Sequence, residues 1–341
     1  MRIATYNVEW FSNLFDDAGG LLEDGGWSGR RDVRRHEQLP AVAQVFRRMD
    51  ADAVMIIEAP DSHARRDGAA ALKTFAAYAG LRTTEVVMGF VNETQQEISL
   101  LYDPAALTAR HDPQGEETGR KGRQDAPRFD GTFRIDLDID ATPDLVRWSK
   151  PPLELEITTA KGTALRMIGV HAKSKAPHGA KSEAEVLRIS IANRRKQLAQ
   201  CIWLRQRVEQ HLDAGESLIV LGDFNDGPGL DDYEKLFGRS GVEIVLGADG
   251  ALPLFDPHAQ TALSQRIAAK PTTARFKVPP DGRFLHALLD YIMISSDLQA
   301  RRPDWRIWHP FEDPDCYADA EMRKALLLAS DHFPVTLDID I

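Results

Sequence analysis

Short apolar runs that lead into a polar or charged residue recur along this chain, with helix-like segments between them. Four of the runs contain or precede an acid, an amide or a histidine: residues 3–10, 52–58, 164–170 and 217–221. A continuous apolar run of this kind is typical of a strand buried on both faces. In layered α/β proteins the strand fixes the position of a side chain at its end while the adjacent loop exposes it. The pattern therefore predicts an α/β fold with a functional site where the strands end.

Periodicity predicts the other elements of this fold. Further strands are expected at residues 97–102, 132–139, 153–158, 288–295 and 334–341, and helices at residues 40–49, 69–78 and 183–210. Within the long helix, a stripe facing the core is predicted at Leu187, Ile191, Leu198 and Ile202. Two segments without periodicity, residues 113–128 and 246–283, are predicted to be loop insertions. Motif strands lie on both sides of each insertion, so we expect one domain over residues 1–341.

Charge and apolar content exclude several classes of protein. The 341 residues include 42 Lys and Arg against 52 Asp and Glu, a formal net charge of −10. Nonspecific binding along a duplex depends on many contacts between cationic side chains and phosphates, so no extended basic surface is expected. The chain has no run of about 18 uncharged apolar residues, and its first residues read as a strand rather than a signal peptide. We therefore expect a cytoplasmic protein without membrane contact, and the sequence indicates no protein partner.

The two cysteines, Cys201 and Cys316, have no CxxC companion. Two such residues cannot build a cysteine-rich zinc site and do not indicate a disulfide framework. We expect two free, buried thiols in a reducing compartment.

The first two runs carry oxygen ligands. Asn7 and Glu9 are two residues apart, so on a strand both side chains point to one side, where an amide oxygen and a carboxylate can meet one hard cation. An exposed pair on an edge strand would give the same pattern. Glu58 ends a run of Val, Met and Ile, and a carboxylate there must be solvated, paired or bound to a metal. A metal-side group is one interpretation and a surface acid is the other.

The next two runs lead into residues suited to a phosphate. His171 and Lys173 are two residues apart after a strand, so both can face an anion. The sequence GDFN then places Asp223 and Asn225 beside each other, and Gly222 permits a tight strand exit. A satisfied histidine at a strand exit is the alternative interpretation of His171.

The most specific pattern is SDHFP at residues 330–334. Histidine is the side chain best suited to take a proton near neutral pH, and an acid such as Asp290 can orient the ring of His332 and stabilise its charged form. The adjacent Asp331 points elsewhere and can bind a metal. A catalytic acid and histidine pair is therefore predicted between Asp290 and His332.

Taken in order, NxE, a strand-end Glu, HxKSK, GDFN, LDYIMIS and SDHFPV resemble the endonuclease/exonuclease/phosphatase superfamily, which includes DNase I-like nucleases and abasic endonucleases. The resemblance extends from Asn7 to Pro334. It implies a four-layer α/β sandwich with two mixed β-sheets flanked by helices, and an active site at one end of the sheets.

The resemblance also implies roles for these residues. The metal-side group is Asn7, Glu9, Glu58 and Asp331, with Glu58 the main ligand; Glu9 stands where abasic endonucleases commonly have Asp. The catalytic group is His171, Asp223, Asn225, Asp290 and His332. Whether Asp223 or His332 acts as the base stays open, so the proton transfer is assigned to them jointly. Lys150 takes the cationic role of the element before the histidine strand, and with Lys173 it is expected to contact the phosphate.

These roles imply a Mg²⁺- or Mn²⁺-dependent phosphodiesterase that acts on DNA or RNA by in-line attack of water. Three short basic groups are expected to hold nearby phosphates: Arg30, Arg31, Arg34 and Arg35; Lys173, Lys175 and Lys181; and Arg120, Lys121, Arg123 and Arg128. Phe129, Phe276 and Phe284 are expected to contact bases. The alternatives are a phosphomonoesterase or lipid phosphodiesterase of the same fold, and a binding module without catalysis.

Overall fold

The computed structural model describes residues 1–137, 143–177, 179–228, 238–247, 250, 252–264, 270–278 and 282–341. In these residues the strands are β1 (Arg2–Asn7), β2 (Ala53–Ala59), β3 (Glu85–Met88), β4 (Glu97–Tyr102), β5 (Leu107–His111), β6 (Phe133–Ile135), β7 (Asp144–Val146), β8 (Leu153–Thr159), β9 (Ala164–His171), β10 (Leu218–Asp223), β11 (Ala274–Val278), β12 (Arg283–Ala287), β13 (Asp290–Ile294), β14 (Asp304–Ile307) and β15 (Val335–Asp338).

The helices alternate with these strands along the chain. They are α1 (Arg35–Met49), α2 (Gly68–Ala79), α3 (Glu183–Asp213), α4 (Gly241–Leu246), α5 (Pro257–Ser264), α6 (Ser296–Gln299), α7 (Pro314–Ala318) and α8 (Ala320–Ala329), with a 3₁₀ turn at Phe11–Leu14. None of the described helices is long and apolar enough to cross a bilayer.

Two large sheets form the centre of the fold. The six-stranded sheet has the order β14-β15-β1-β2-β4-β3, and the five-stranded sheet has the order β13-β10-β9-β8-β5. Both are mixed, because β1 runs parallel to β2, and β9 parallel to β10, while the other pairs are antiparallel. The predicted four-layer α/β sandwich, with two mixed sheets flanked by helices, is confirmed.

Three apolar layers hold the sandwich together. Between the sheets, Met55 and Ile57 of β2 meet residues such as Met167 and Leu221 of the other sheet. The opposite face of the six-stranded sheet packs against α1, α2 and α8, and that of the five-stranded sheet packs against α3, α4 and α5. Alternate residues of β10 therefore enter different layers, which is why its sequence is apolar throughout.

Helix α3 departs from its predicted stripe. Leu187 is 46% exposed, whereas Arg194 and Arg207 on the same helix are buried. Arg194 pairs with the buried Asp226, and Arg207 lies 3.3 Å from Glu154. A charged residue can therefore take a core position when a buried acid compensates it, which a pattern of apolar residues does not reveal.

The two predicted insertions differ from each other. Residues 113–128 contain no helix or strand, as expected. The segment 246–283, expected to be irregular, contains α5 and β11, and β11 pairs with β12 as a short hairpin. The strand predicted at 132–139 is only Phe133–Ile135, and residues 138–142 lie outside the described part of the chain. The single-domain assignment stays a prediction.

The two cysteines are free and buried, as predicted. Burial raises the pKa of both thiols, that of Cys316 to about 12, so neither is a thiolate at neutral pH.

Candidate active site

A cleft of about 520 Å³ opens where the two sheets end. It is lined by Asn7, Glu9, Trp10, Glu58, Thr94, Gln96, Ser149, Lys150, His171, Ala172, Lys173, Ser174, Ala176, Asp223, Asn225, Phe276, Leu289, Asp331 and His332. Ten of the eleven residues predicted for the site lie on this lining, and Asp290 is buried behind His332. The structure thus brings the predicted residues together, while their individual roles stay predictions.

The five-stranded sheet supplies three of these residues in one row. Asp223 ends β10 and is the register partner of His171 on β9 and of Asp290 on β13. Register partners on neighbouring strands point to the same face of a sheet. Gly222 precedes Asp223 with φ 137°, and a Cβ placed there would lie 2.0 Å from the carbonyl oxygen of Val170. Only glycine fits this close strand exit, as the sequence predicted.

His332 comes from the other sheet, on the turn before β15. Its Nδ1 lies 2.8 Å from Asp290 Oδ2, and its Nε2 lies 3.9 Å from Asp223 Oδ2. Burial alone lowers the pKa of His332, but the carboxylates of Asp290 and Asp223 outweigh it and hold that pKa well above the ordinary value. The imidazolium is therefore favoured, and the predicted contact between Asp290 and His332 is present.

Asp223 accepts hydrogen bonds from several amide groups. Asn7 Nδ2 donates to its Oδ2 at 3.0 Å, and Asn225 donates through its backbone N–H at 2.8 Å and through Nδ2 at 3.1 Å. Burial raises the pKa of Asp223 to about 6, against the lowering effect of His332. The bond from Asn7 to Asp223 also joins the six-stranded sheet to the five-stranded sheet inside the protein.

Lys150 is in direct contact with His171 on the cleft lining, with 3.1 Å between Lys150 Nζ and His171 Nε2. Burial, the charge of Lys150 and that of His332 lower the pKa of His171 well below its usual value, so this imidazole is neutral. A neutral ring that accepts from Lys150 through Nε2 carries its hydrogen on Nδ1. Burial lowers the pKa of both Lys150 and Lys173 as well. These two lysines and the His332 imidazolium are the cationic side chains on the lining of the cleft.

Unusual backbone geometry is concentrated at the same place. Trp10, Glu58 and Asn225 have φ of 60°, 63° and 49°, the left-handed region that residues other than glycine rarely adopt. Trp10 donates its backbone N–H to Glu58 Oε2 at 2.8 Å, which fixes that carboxylate at the rim of the cleft. Strained positions of this kind persist where the surroundings hold them, and they often mark functional sites.

The expectation that Asn7 and Glu9 alternate on one strand is wrong. Strand β1 ends at Asn7, and the backbone N–H of Glu9 turns back to donate to Asn7 Oδ1 at 3.1 Å. The Glu9 carboxylate forms an ion pair with Arg30 and accepts from the backbone N–H of Asp331 at 3.2 Å. The Asn7 oxygen therefore already accepts one hydrogen bond, and Glu9 reaches the cleft from a loop.

The donor set fits a hard divalent cation in its chemistry, because Asn7, Glu9, Glu58 and Asp331 all present oxygens on the cleft. Burial, followed by the nearby Asp331, raises the pKa of Glu9 to about 7, and a bound cation would relieve that repulsion. Among the described residues, however, the cleft side chains whose ligand atoms all lie within 4.8 Å of one another are Asp223, Asp290 and His332. The four-residue metal group stays a prediction.

Several of the basic residues expected to hold phosphates are neutralised by acids. Lys175 pairs with Asp226, Arg35 with Asp24, Arg123 with Glu116 and Asp125, and Arg128 with Glu117 and Asp130. The expectation for Phe129 is wrong, because its ring is fully buried between Trp148 and Trp203. Phe276 does line the cleft, and Phe284 is 43% exposed.

Two buried glutamines on α3, Gln197 and Gln200, support the cleft and were not predicted from the sequence. Gln197 Nε2 donates to the carbonyl oxygens of Lys173, Phe224 and Asn225, at 2.9, 3.2 and 2.9 Å. Gln200 Oε1 accepts from the backbone N–H of Lys173 at 2.9 Å. The two side chains fix the loops after β9 and β10. Their spacing of three residues on a helix, next to the buried Cys201, was the only available signal.

The chain matches the Endonuclease/Exonuclease/phosphatase family over residues 4–332, and it belongs to that family. Members of the family are hydrolases that act on phosphoester bonds, generally with divalent metal ions. No curated protein sequence matches this chain significantly.

Solved structures with the same fold are remote in sequence. The endonuclease/exonuclease/phosphatase from Bacteroides vulgatus is 13% identical, with a TM-score of 0.51 over 100% of this chain and 98% of that one. An AP endonuclease from Archaeoglobus fulgidus is 13% identical, with a TM-score of 0.51 over 100% of both chains. TDP2 from Caenorhabditis elegans is 12% identical, with a TM-score of 0.50 over 100% of this chain and 75% of that one. These similarities establish the fold.

Proposed function

We propose that this protein is a Mg²⁺- or Mn²⁺-dependent phosphodiesterase that hydrolyses nucleic acid. The observation that carries the proposal is the lining of one cleft, where Asp223 and His332, backed by Asp290, lie next to His171 and Lys150. A phosphodiester bound against this group would meet both a proton acceptor and a cation.

Asp290 is the residue that orients the histidine. A bond from His332 Nδ1–H to Asp290 Oδ2 directs Nε2 towards Asp223 and the cleft. Asp223 and His332 then share the proton transfer: the Asp223 carboxylate accepts the proton of the attacking water and the His332 imidazolium can donate one, with Asn7 and Asn225 holding the Asp223 carboxylate in place. Lys150 and Lys173 stabilise the negative charge of the phosphate through charge-assisted hydrogen bonds.

A divalent metal, when bound, supplies charge neutralisation at the phosphate and the leaving oxygen. Glu58 is the proposed main ligand, and Asn7, Glu9 and Asp331 complete the oxygen set. Glu58 is held by the backbone N–H of Trp10, and Glu9 by Arg30, so neither carboxylate depends on the metal for its position.

A diester fits the cleft better than a monoester does. A monoesterase must hold a terminal phosphate dianion, which favours a closed pocket with several converging cations. Here the lysines on the cleft lining are Lys150 and Lys173, and Lys150 already donates to His171. The His332 imidazolium also lines the cleft, but it is paired with Asp290. The cleft also continues past Phe276 towards exposed aromatic and basic residues, which suits a strand that extends beyond the reacting phosphate.

The decisive experiment compares substrates under matched metal and pH. Labelled single- and double-stranded DNA and RNA, nucleotide monoesters and inositol monoesters are incubated with Mg²⁺ or Mn²⁺. We expect kcat/KM for the best oligonucleotide to exceed that for any monoester at least tenfold, about 1.4 kcal/mol of transition-state binding. If monoesters prove better substrates, the protein is a phosphomonoesterase rather than a nuclease. If no phosphoester is hydrolysed, a binding module without catalysis is the remaining interpretation.

Nucleic acid is thus the proposed substrate partner. A cytoplasmic location is proposed with it, in keeping with the two free, buried cysteines.

A further inference from the structure

A second cavity, of about 420 Å³, adjoins the active-site cleft. We call it the side groove; its lining includes Arg30, Arg31, Arg275, Lys277, Phe284 and Leu327. Glu9, Phe276 and Asp331 line both cavities, so the side groove is continuous with the cleft. A ligand that fills the cleft can therefore extend into the groove without leaving the protein surface.

Arg275 differs from the other cations of the side groove. Arg30 is paired with Glu9, and Arg31 and Lys277 each lie 3.7 Å from Asp32. Within the described part of the chain Arg275 has no carboxylate partner. Its guanidinium carbon lies 3.3 Å from the ring centroid of Phe284 and 5.4 Å from that of Phe311. A cation held by two rings and neutralised by no acid is prepared to receive an anion.

The electrostatics of the groove agree with this geometry. Burial, followed by the charge of Arg30, lowers the pKa of Arg275. Two guanidinium groups that repel each other would both be stabilised by a phosphate placed near them. The ring of Phe284 is 43% exposed, so it combines a hydrophobic face with the adjacent charge.

The hairpin that carries Arg275 is fixed to the catalytic residues. The backbone N–H of Arg275 donates to the carbonyl of Asp331 at 2.7 Å, and Ala274 forms an isolated bridge with His332. One residue earlier, Thr273 Oγ1 accepts from the backbone N–H groups of Leu289 and Asp290, both at 3.0 Å. The position of Arg275 relative to the Asp290 and His332 pair is therefore set by backbone hydrogen bonds.

We propose that the side groove binds the nucleic-acid strand next to the scissile phosphate, with Arg275 on a non-scissile phosphate and Phe284 stacked on an unpaired base. This proposal rests on the proposed function. A base can lie flat on an exposed ring only when it is unstacked from its neighbours, and such stacking tolerates any sequence. The preferred substrate is therefore single-stranded, which the nuclease assignment alone does not specify.

The test compares three substrates: a labelled single-stranded oligonucleotide, its blunt duplex, and bis(p-nitrophenyl) phosphate, a diester too small to reach the groove. The variants are Arg275→Gln, Phe284→Ala and Phe284→Tyr. The matched controls are Arg323→Gln and Tyr317→Ala, because Arg323 also stacks on an exposed ring, at 5.3 Å from the Tyr317 centroid, and neither residue lines the cleft or the groove.

For the full-length protein we expect kcat/KM to be higher on the single strand than on the duplex. Arg275→Gln and Phe284→Ala should each lower the ratio of kcat/KM on the single strand to that on the small diester by about tenfold. Phe284→Tyr keeps the ring and should restore the ratio, and the two control variants should not change it. Circular dichroism and Tm establish that each variant is folded; because Phe284 is exposed, its variants test the proposal even where Arg275→Gln does not fold.

The experiment distinguishes an error in the proposed role of the side groove from an error in the proposed nuclease function. If the wild-type protein cleaves nucleic acid but prefers the duplex, or if Phe284→Ala leaves the ratio unchanged, the side groove does not bind an unpaired strand and the nuclease assignment stands. If the wild-type protein cleaves no oligonucleotide and releases phosphate from monoesters, the proposed function is wrong and this proposal is wrong with it.

Discussion

The two sides of the cleft are positioned by different means. On the five-stranded sheet, His171, Asp223 and Asp290 are register partners, so hydrogen bonds between strands set their spacing. On the six-stranded sheet, Asn7 and Glu58 also lie on strands, but Glu9 and Asp331 lie on loops, where contacts with Arg30 and with each other set their positions. A residue placed by strand register is fixed by the fold itself. The position of a residue on a loop depends on contacts with particular side chains. Proteins that share one fold can therefore differ at such residues.

The largest effect on kcat is expected where the two sides of the cleft meet, at the contact between His332 and Asp290. His332→Ala should lower kcat by several orders of magnitude, about 10³-fold or more, because it removes a proton-transferring ring, and Asp290→Asn should give a large fraction of that loss. Rates are measured on an oligonucleotide with saturating metal. His36→Ala, on an exposed helix position, is the control. Folded variants with nearly wild-type rates would remove the pair from the mechanism.

The next effect concerns the oxygen ligands of the six-stranded sheet. Excess EDTA should abolish turnover, and Mg²⁺ or Mn²⁺ should restore it. Glu58→Gln should raise the metal concentration for half-maximal rate by about tenfold or more, because a carboxylate ligand becomes an amide. Glu85→Gln, on the same sheet and paired with Lys73, serves as the control. Full activity in excess EDTA would contradict the metal assignment.

A smaller effect is expected from the support behind the five-stranded sheet. Gln197→Leu leaves three carbonyl groups without their donor and should destabilise the fold by about 1–3 kcal/mol. If Gln197 also positions the loops of Lys173 and Asn225, kcat should fall about tenfold at a temperature where the variant is folded. Gln206→Leu removes a glutamine of the same helix that bonds Ala126 instead, so it should cost stability without the loss in kcat. Equal kcat values for the two variants would make Gln197 purely structural.

The smallest effect is the salt dependence of binding. With Lys150, Lys173 and Arg275 as the cations available to about three phosphates, the slope of log affinity against log salt for a single strand should be about −2. The measurement uses His332→Ala at constant metal concentration. A slope near −10 would reveal an extended basic surface, contrary to the pairing of Arg123 and Arg128 with acids.

Sequence patterns predicted best what strand geometry determines. Asp223 and His171 were placed correctly because each follows a continuous apolar run, and a strand end leaves little freedom. Glu9 was expected on strand β1, but the strand stops two residues earlier, and nothing in the local pattern indicates that stop. The pairing of Glu9 with Arg30 spans 21 residues of chain and depends on a loop whose course has no period.

The burial of individual side chains was harder to predict than the position of the strands. Phe129 was expected to contact bases because basic residues surround it in sequence, but its ring is fully buried against Trp148 and Trp203. On α3, Leu187 is exposed while Arg194 is buried, since an acid from another segment compensates the arginine. Partners that are distant in the chain decide such positions, and one sequence does not reveal them.

The buried hydrogen bond from Asn7 to Asp223 connects chemistry to folding in one further way. It joins the last residue of β1 to the last residue of β10, and so it spans the interface between the sheets. If one sheet slid over the other by the length of a single residue, about 3.3 Å, the Asn7 amide and the Asp223 carboxylate would no longer lie within hydrogen-bond distance. A molecule with slipped sheets would therefore be inert even with its helices intact, and turnover would report correct assembly of the sandwich more sensitively than its helical circular dichroism.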